Sequence, residues 1–367
     1  MQDQSPDLSR ALSQDQSREL KIVVIGGGSG SSAVLRGLKH RTSNLSAVVT
    51  MFDSGGSSGL LQAEFGYPPL GDLRQCMLGL SEDNESNRAL RDLLDFRFQL
   101  ESSLHGHSLG NLLLAALTTI GKDLELAIDE MSRLLHITGR VIPVALEHAD
   151  LCAELDNGEV VIGESNIDLR GKSQPRIKRV YLAPSVIASP KAAEAILEAD
   201  VVVLGPGDLF TSIVPNLLAQ GIPEALAQTR ATRIYVCNLM TKLGETDDFK
   251  ASDFVRQIVR YLNGPHLDWA LINTQEIPRR VRQAYFAEGA FPVVCDVEAV
   301  RSQLPGVFVT HLGNNQIPLK HDHSRIADSV LRIADMGRVQ NTLSSTNGQG
   351  TFGPESQQSM VIGRRNR

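Results

Sequence analysis

The sequence predicts an α/β protein built on a parallel sheet with helices on both faces, and three observations carry that prediction. Short runs rich in Val and Ile alternate along the chain with segments of helical spacing. The runs are predominantly apolar, as suits strands covered on both faces, and do not alternate strictly between apolar and polar residues. Glycine-rich turns follow the strands, which is the grammar of strand–turn–helix units.

Lys21–Ile25 is the first such strand, and Ser31–His40 follows with Val34, Leu35 and Leu38 at helical spacing. Leu45–Phe52 is the second strand. Leu109–Thr119 is an almost wholly apolar helix, which places it inside the core. Ala199–Leu204, Arg233–Cys237 and Trp269–Asn273 complete the strand set. The stretch Ile142–Tyr181 differs: Asp156-Asn157-Gly158 before Glu159–Ile162 is hairpin chemistry, so a small β-rich insertion is expected there. Polar, Gln- and Ser-rich sequence at 1–20 and 340–367 reads as two disordered tails around a single domain at 21–339.

Bulk properties narrow the function. At 367 residues and 42% hydrophobic content the chain can bury a large core. A net charge of −6 argues against a general grip on nucleic acid, which needs clustered cations. Cys76, Cys152, Cys237 and Cys295 are widely spaced without a C-x-x-C pair, so neither a zinc ribbon nor a disulfide framework is expected. The polar start lacks the apolar core of a signal peptide, and no stretch is long enough to span a bilayer, so a cytoplasmic protein is expected.

The chemistry sits in the turns. Gly26-Gly27-Gly28-Ser29-Gly30 directly follows a strand and opens a helix. Backbone N–H groups approach an anion closely there, in conformations a Cβ would block, and the helix turns its positive end to the same place. From Gly28 the pattern G-x-G-x-x-A also suits a dinucleotide. Asp53-Ser54-Gly55-Gly56-Ser57-Ser58-Gly59 is a second cradle after a neighbouring strand; Asp53 there suits a ribose hydroxyl, a metal or a substrate hydroxyl. In Pro69-Leu70-Gly71-Asp72-Leu73-Arg74, Asp72 is placed to cap the following helix. Arg74 carries the wrong charge for a first turn, which invites a ligand or partner carboxylate. His105-Gly106-His107 offers too few ligands for a metal site, and Asn111 beyond it can donate to ligand or backbone. Gly205-Pro206-Gly207-Asp208 ends another strand, with Ser212 and Asn216 one helical turn apart. Asn238 and Thr241 follow the Arg233–Cys237 strand.

Taken in order, these elements resemble the CofD/YvcK-like family, which joins the bacterial gluconeogenesis factors to the 2-phospho-L-lactate transferase of coenzyme F420 synthesis. The resemblance runs from Lys21 to Met336 and rests on GGGSG (Gly26–Gly30), DSGGSSG (Asp53–Gly59), PLGDLRQC (Pro69–Cys76), GHSLGNLLLAAL (Gly106–Leu117), LGPGDLFTSIVPNLL (Leu204–Leu218) and CNLMTKLGETDDF (Cys237–Phe249). It implies a modified Rossmann-like sheet with ligand between the loops. The gluconeogenesis-factor branch, similar in length and in its Lys320-His321-Asp322 segment, implies binding of a UDP-sugar such as UDP-N-acetylglucosamine. It also implies a role in cell shape and in growth on gluconeogenic carbon sources, without an established reaction.

By that resemblance Gly27, Gly28, Ser29 and Gly30 meet the diphosphate, and Asp53 with Gly55, Gly56, Ser57 and Ser58 forms the polar anchor. Asp72, Arg74, Asn111, Gly205, Gly207, Ser212, Asn216, Asn238 and Thr241 line the crevice, Tyr285 stacks on the base, and Lys320 reaches a phosphate or the uracil edge. This chain has Asp53-Ser54 where the family often has Asp-Asp, and Lys320 where it often has Arg, a point charge in place of a fork. A magnesium ion accompanying the diphosphate is compatible with the resemblance, as are a homo-oligomer and protein partners in cell-envelope regulation. Two other readings stay open. A magnesium-dependent transferase would use a nucleoside-diphosphate-activated donor, and a nicotinamide dehydrogenase would use only the first loop and Asp53.

Overall fold

The computed structural model describes residues 19–99, 102–171, 174–264, 266–346 and 360–362. Most of the expected N-terminal tail and much of the C-terminal one lie outside these residues. Within the C-terminal stretch, the last long helix runs on to Thr346, and Met360–Ile362 pairs as a strand, so that part is not uniformly tail-like.

The first half of the sheet contains β1 (Ile22–Gly26), β2 (Leu45–Val49) and β3 (Arg140–Pro143). Between them lie α1 (Gly28–Leu38), α2 (Gly56–Phe65), α3 (Gly71–Leu80), α4 (Glu85–Asp95), α5 (Leu109–Gly121) and α6 (Leu124–Leu134). The insertion follows: β4 (Asp150–Leu155), β5 (Val160–Ile162), α7 (Glu164–Asp168) and β6 (Ile177–Ala183). After α8 (Pro190–Leu197) come β7 (Val201–Leu204), a π-turn at Leu209–Ile213, α9 (Val214–Leu218), α10 (Ile222–Gln228) and β8 (Thr232–Val236). The chain ends with α11 (Ala251–Tyr261), β9 (Trp269–Asn273), α12 (Arg279–Ala287), α13 (Val297–Arg301), β10 (Gly306–Thr310), α14 (His323–Thr346) and β11 (Met360–Ile362).

Every ladder of the main sheet is parallel, in the order β3-β2-β1-β7-β8-β9-β10, with β11 added at the β10 edge. β1, β2, β7 and the last three residues of β8 are wholly buried, which is why their sequences are continuous Val, Ile and Leu runs. The order reverses between β1 and β7. That is the topological switch point of a doubly wound sheet, the carboxyl-edge position where such folds characteristically bind ligands.

Small residues let the helices close on this frame. A side chain on Gly79 of α3 would meet Ser32 of α1, and one on Gly37 of α1 would fall on the His323 carbonyl of α14. The insertion is a three-stranded antiparallel sheet, β5-β4-β6. Its hairpin is the expected one, with Gly158 at φ 86° and its N–H donating to the Leu155 carbonyl at 3.0 Å. Its start lies later than expected, because Ile142 and Pro143 belong to β3.

Local boundaries also moved. α1 begins at Gly28 and not at Ser31, since glycines opening a helix hide its first turn from a periodicity reading. α5 is not a core helix. Leu114 and Ala115 are buried, but Ala116 is exposed and Ile120 is 80% exposed, so only one face packs inward. The three cysteines Cys76, Cys152 and Cys237 are buried and Cys295 is half-buried, all of them free thiols.

Candidate functional site

The turns after β1 and β7 meet directly across the switch point. A side chain on Gly30 would fall on the Pro206 carbonyl oxygen, and the Gly27 carbonyl oxygen lies 3.8 Å from where a Gly207 side chain would begin. Gly28 takes a positive φ of 64° and Gly205 one of 74°, conformations open to glycine at no steric cost. α1 starts in this contact with Gly27 as its extended N-cap and no side-chain cap. Its first N–H groups therefore lack intrahelical partners. Ser29 at the rim is exposed and Gly30 half-buried.

Several sequence-predicted residues build the walls instead of facing outward. Asn238 Nδ2 donates to the Gly207 carbonyl at 2.8 Å and fixes the β7 turn. Asn216 is fully buried, and its Nδ2 donates to Ser212 O at 2.9 Å and reaches Gly26 O at 3.4 Å. It ties the π-turn to the end of β1 and is not on an open face shared with Ser212. Thr241 Oγ1 accepts from Phe291 N at 3.0 Å. Ser57 Oγ pairs with His107 Nδ1 at 3.2 Å, and Ser58 Oγ accepts from Gly71 N at 3.1 Å.

Arg74 and Asp72 depart from their expected roles. Arg74 is buried; its Nε donates to Asn111 Oδ1 at 3.0 Å and its Nη1 to Asp95 Oδ1 at 2.6 Å. The compensating carboxylate is thus the protein's own, at the end of α4. Asp72 does not cap its helix. It is the second residue of α3, whose N-cap is Leu70, and it reaches across to the Gly27–Gly28 turn. Burial, then the nearby Asp53 charge, raise its carboxyl to about 7, against a smaller opposing effect of the Gly28 N–H.

Asp53 Oδ1 accepts from Gly55 N at 2.8 Å, and α7 of the insertion packs over this loop. Ser54 Oγ accepts from Ser165 N at 3.1 Å, and Ser54 N points at Glu164 Oε2 at 3.4 Å. Burial raises the Glu164 carboxyl to about 9, helped by the Asp53 charge and by a hydrogen bond between the two carboxyls. A second acidic group lies beside the β7 turn: Asp168, Asp208 and Glu245 bring carboxylate oxygens within 4.8 Å of one another. Lys242 Nζ sits among them, paired to Asp168, to Asp208 at 2.6 Å and to Glu245 at 3.4 Å. Glu245 is buried and accepts from Phe210 N at 3.2 Å and Thr211 Oγ1 at 3.1 Å. Burial raises it to about 7 even with Lys242 opposing.

Glu164, Asp168, Asp208, Lys242 and Glu245 went unpredicted. Asp208, Lys242 and Glu245 lie inside motifs already noted, where a charged residue after a strand was the available signal. Glu164 and Asp168 carry no local signal, being on a short helix of the insertion. Tyr285 and Lys320 stand together further along the same sheet edge, the Tyr285 hydroxyl accepting from Leu319 N at 2.9 Å. Lys320 is exposed. A separate cavity of 360 Å³ lies at the carboxyl ends of β2 and β3, lined among others by Met51, Tyr67, Pro69, Leu146 and His148. Of the motif residues, Pro69 contributes to it, while the turns at Gly28, Gly56 and Gly207 do not.

A doubly wound parallel sheet whose glycine turns after β1 and β7 meet at the switch point defines a Rossmann-like α/β protein. Comparison with known proteins narrows this. The family model described as 2-phospho-L-lactate transferase CofD matches residues 22–312, and the chain belongs to that family. It is 40% identical over 318 residues to the gluconeogenesis factor of Bacillus subtilis, covering 85% of this chain and 98% of the relative. It is 40% identical over 316 residues to the gluconeogenesis factor of Halalkalibacterium halodurans, covering 86% and 96%. A crystal structure of a UPF0052 family protein from Bacillus halodurans has the same fold, with TM-score 0.80 and 39% identity over 85% of this chain and 98% of that one. No helix among the described residues is long and apolar enough to cross a membrane.

Proposed function

We propose that this protein binds a nucleotide diphosphate sugar of the UDP-N-acetylglucosamine type at the carboxyl edge of its sheet. On this reading it acts as a regulatory protein for cell shape and growth on gluconeogenic carbon sources. The observation that carries the binding is the contact of the β1 and β7 turns at the switch point, with the uncapped start of α1 opening into it. Helix N-termini there offer backbone N–H groups and a positive dipole to a diphosphate. Ser29 is the exposed residue of that start, and on this reading Tyr285 and Lys320 would meet the base and its substituents. The gluconeogenesis-factor relatives support the physiological side.

A magnesium ion accompanying the diphosphate would be held by Asp53, with Glu164 joining it only on giving up the proton that now bridges the two carboxyls. When bound, the ion would screen the diphosphate. The same acidic set favours a second reading, transfer from a nucleoside-diphosphate-activated donor as in the family's namesake activity. Calorimetric titration with UDP-N-acetylglucosamine tests the first reading; no binding at millimolar ligand would defeat it. Magnesium-dependent release of a nucleoside monophosphate would replace it with the second.

A further inference from the structure

One carboxylate in the crevice has no part in that reading. Asp72 belongs to α3, yet a side chain built on Gly27 would fall on its Oδ2, and the Gly28 N–H donates to it. An anion at the start of α1 is what the helix dipole and its unpaired N–H groups favour. α1 has no cap of its own, so Asp72 supplies one from a different helix.

A buried hydroxyl at the turn, that of Ser31, makes an independent case that the turn is built for a polar occupant. Ser31 Oγ and Thr50 Oγ1 each belong to residues 1% exposed, and neither has a hydrogen-bond partner. Ser31 Oγ lies where a Gly26 side chain would begin, while the Thr50 methyl, and not its hydroxyl, lies 2.8 Å from the corresponding point at Gly27. Both side chains therefore border the turn that Asp72 enters. Buried hydroxyls are almost always paired, and unpaired ones at a binding turn await a partner.

The charges facing Asp72 are one-sided. Asp53 from the β2 turn and Asp208 from the β7 turn repel it, while Arg74 on its own helix attracts it weakly, being engaged with Asp95 and Asn111. The Cys76 thiol one turn along is held protonated by burial. The carboxylate is thus kept in place by the Gly28 N–H and the dipole, against its neighbours.

Building on the diphosphate reading above, we propose that Asp72 is an internal occupant of the phosphate turn. Its carboxylate holds the Gly27–Gly28 backbone in register in the free protein, and a ligand phosphate takes its place at those N–H groups. Affinity is then set by a competition between two anions, one of them covalently part of α3.

Asp72→Asn keeps the size and an acceptor oxygen for the Gly28 N–H but removes the charge. The protein and this variant would be titrated by calorimetry at about pH 8.5, where Asp72 is ionised, with magnesium present, against inorganic pyrophosphate and separately against UDP-N-acetylglucosamine. The variant should bind pyrophosphate about tenfold or more tightly than the parent, the scale of removing one charge at close range. Asp72→Ala, which also removes the acceptor, should gain as much, and a thermal melt of each variant confirms that it is folded. Equal or weaker pyrophosphate binding by the folded variants overturns the proposal. A gain with pyrophosphate while neither protein binds the nucleotide sugar defeats the nucleotide-sugar reading and leaves the internal occupant standing. No binding of either probe to any of the proteins overturns both.

Discussion

Replacing Lys242 with Met isolates the energetics of the acidic cluster beside the β7 turn. Methionine keeps the length and apolar stem of the side chain and removes the ammonium. At 3.4 Å from Glu245, a Coulomb term at the effective dielectric of a protein site is about 5 kcal/mol. Protonation caps the loss. Glu245 is already raised to about 7, so forcing it fully neutral at pH 8 costs only about 1.4 kcal/mol more. The partly exposed pairs to Asp168 and Asp208 add about 0.5–1 kcal/mol between them. The expected destabilisation is therefore about 2–3 kcal/mol at pH 8, shrinking to about 1 kcal/mol at pH 6, where Glu245 carries its proton in both proteins. Urea unfolding at the two pH values measures this. The variant also leaves three carboxylates within 4.8 Å without their cation, so calcium should raise its melting temperature and leave the parent's nearly unchanged. A loss that is the same at both pH values, or none at pH 8, refutes the assignment of Lys242 as the cluster's internal cation.

Gly30→Val places a branched side chain on the Pro206 carbonyl, so it should cost about 1–3 kcal/mol and abolish nucleotide-sugar binding together; unchanged affinity would mean the β1–β7 contact is not part of the site. Arg74→Met leaves the buried Asn111 amide oxygen without its donor, while the exposed Asp95 returns to water, and should destabilise the protein by about 1–3 kcal/mol while the folded fraction keeps its ligand affinity, whereas a selective loss of affinity would return Arg74 to the crevice. The carboxyls of Asp72, Glu164 and Glu245 all lie above their ordinary range, so the native state binds their protons more tightly than the unfolded chain. Their contribution is fully present below the unfolded carboxylate range and fades as pH rises, through about 7 for Asp72 and Glu245 and about 9 for Glu164. Stability should accordingly fall by at least about 3 kcal/mol from pH 6 to pH 9, about 1.4 kcal/mol from each of Asp72 and Glu245 and the rest from Glu164, and a flat or rising denaturation profile over that range would contradict the three shifts.

Much of the frame was legible because its signals are local. Continuous Val and Ile runs mark strands covered on both faces, and a glycine cluster after such a run marks a turn that must bring backbone close to something. Those two rules place β1, β2, β7, β8 and β9 and the turns at Gly28, Gly56 and Gly207 without any knowledge of contacts. The hairpin at Asp156–Gly158 is local in the same sense. α5 misled because its apolar composition says how much surface it could bury, not how much the neighbouring elements cover.

What side chains do inside the crevice belonged to the tertiary structure alone. Ser54 and Glu164 are 110 positions apart and meet only because the insertion folds its short helix back over the β2 turn. Lys242 draws Asp168, Asp208 and Glu245 together from three different segments. Asp72 reads as a cap in its own helix, yet its carboxylate lies against the start of another. A side chain's local context states which hydrogen bonds it can make. Electrostatics and burial select among them, and both depend on groups that the fold, not the chain order, makes neighbours.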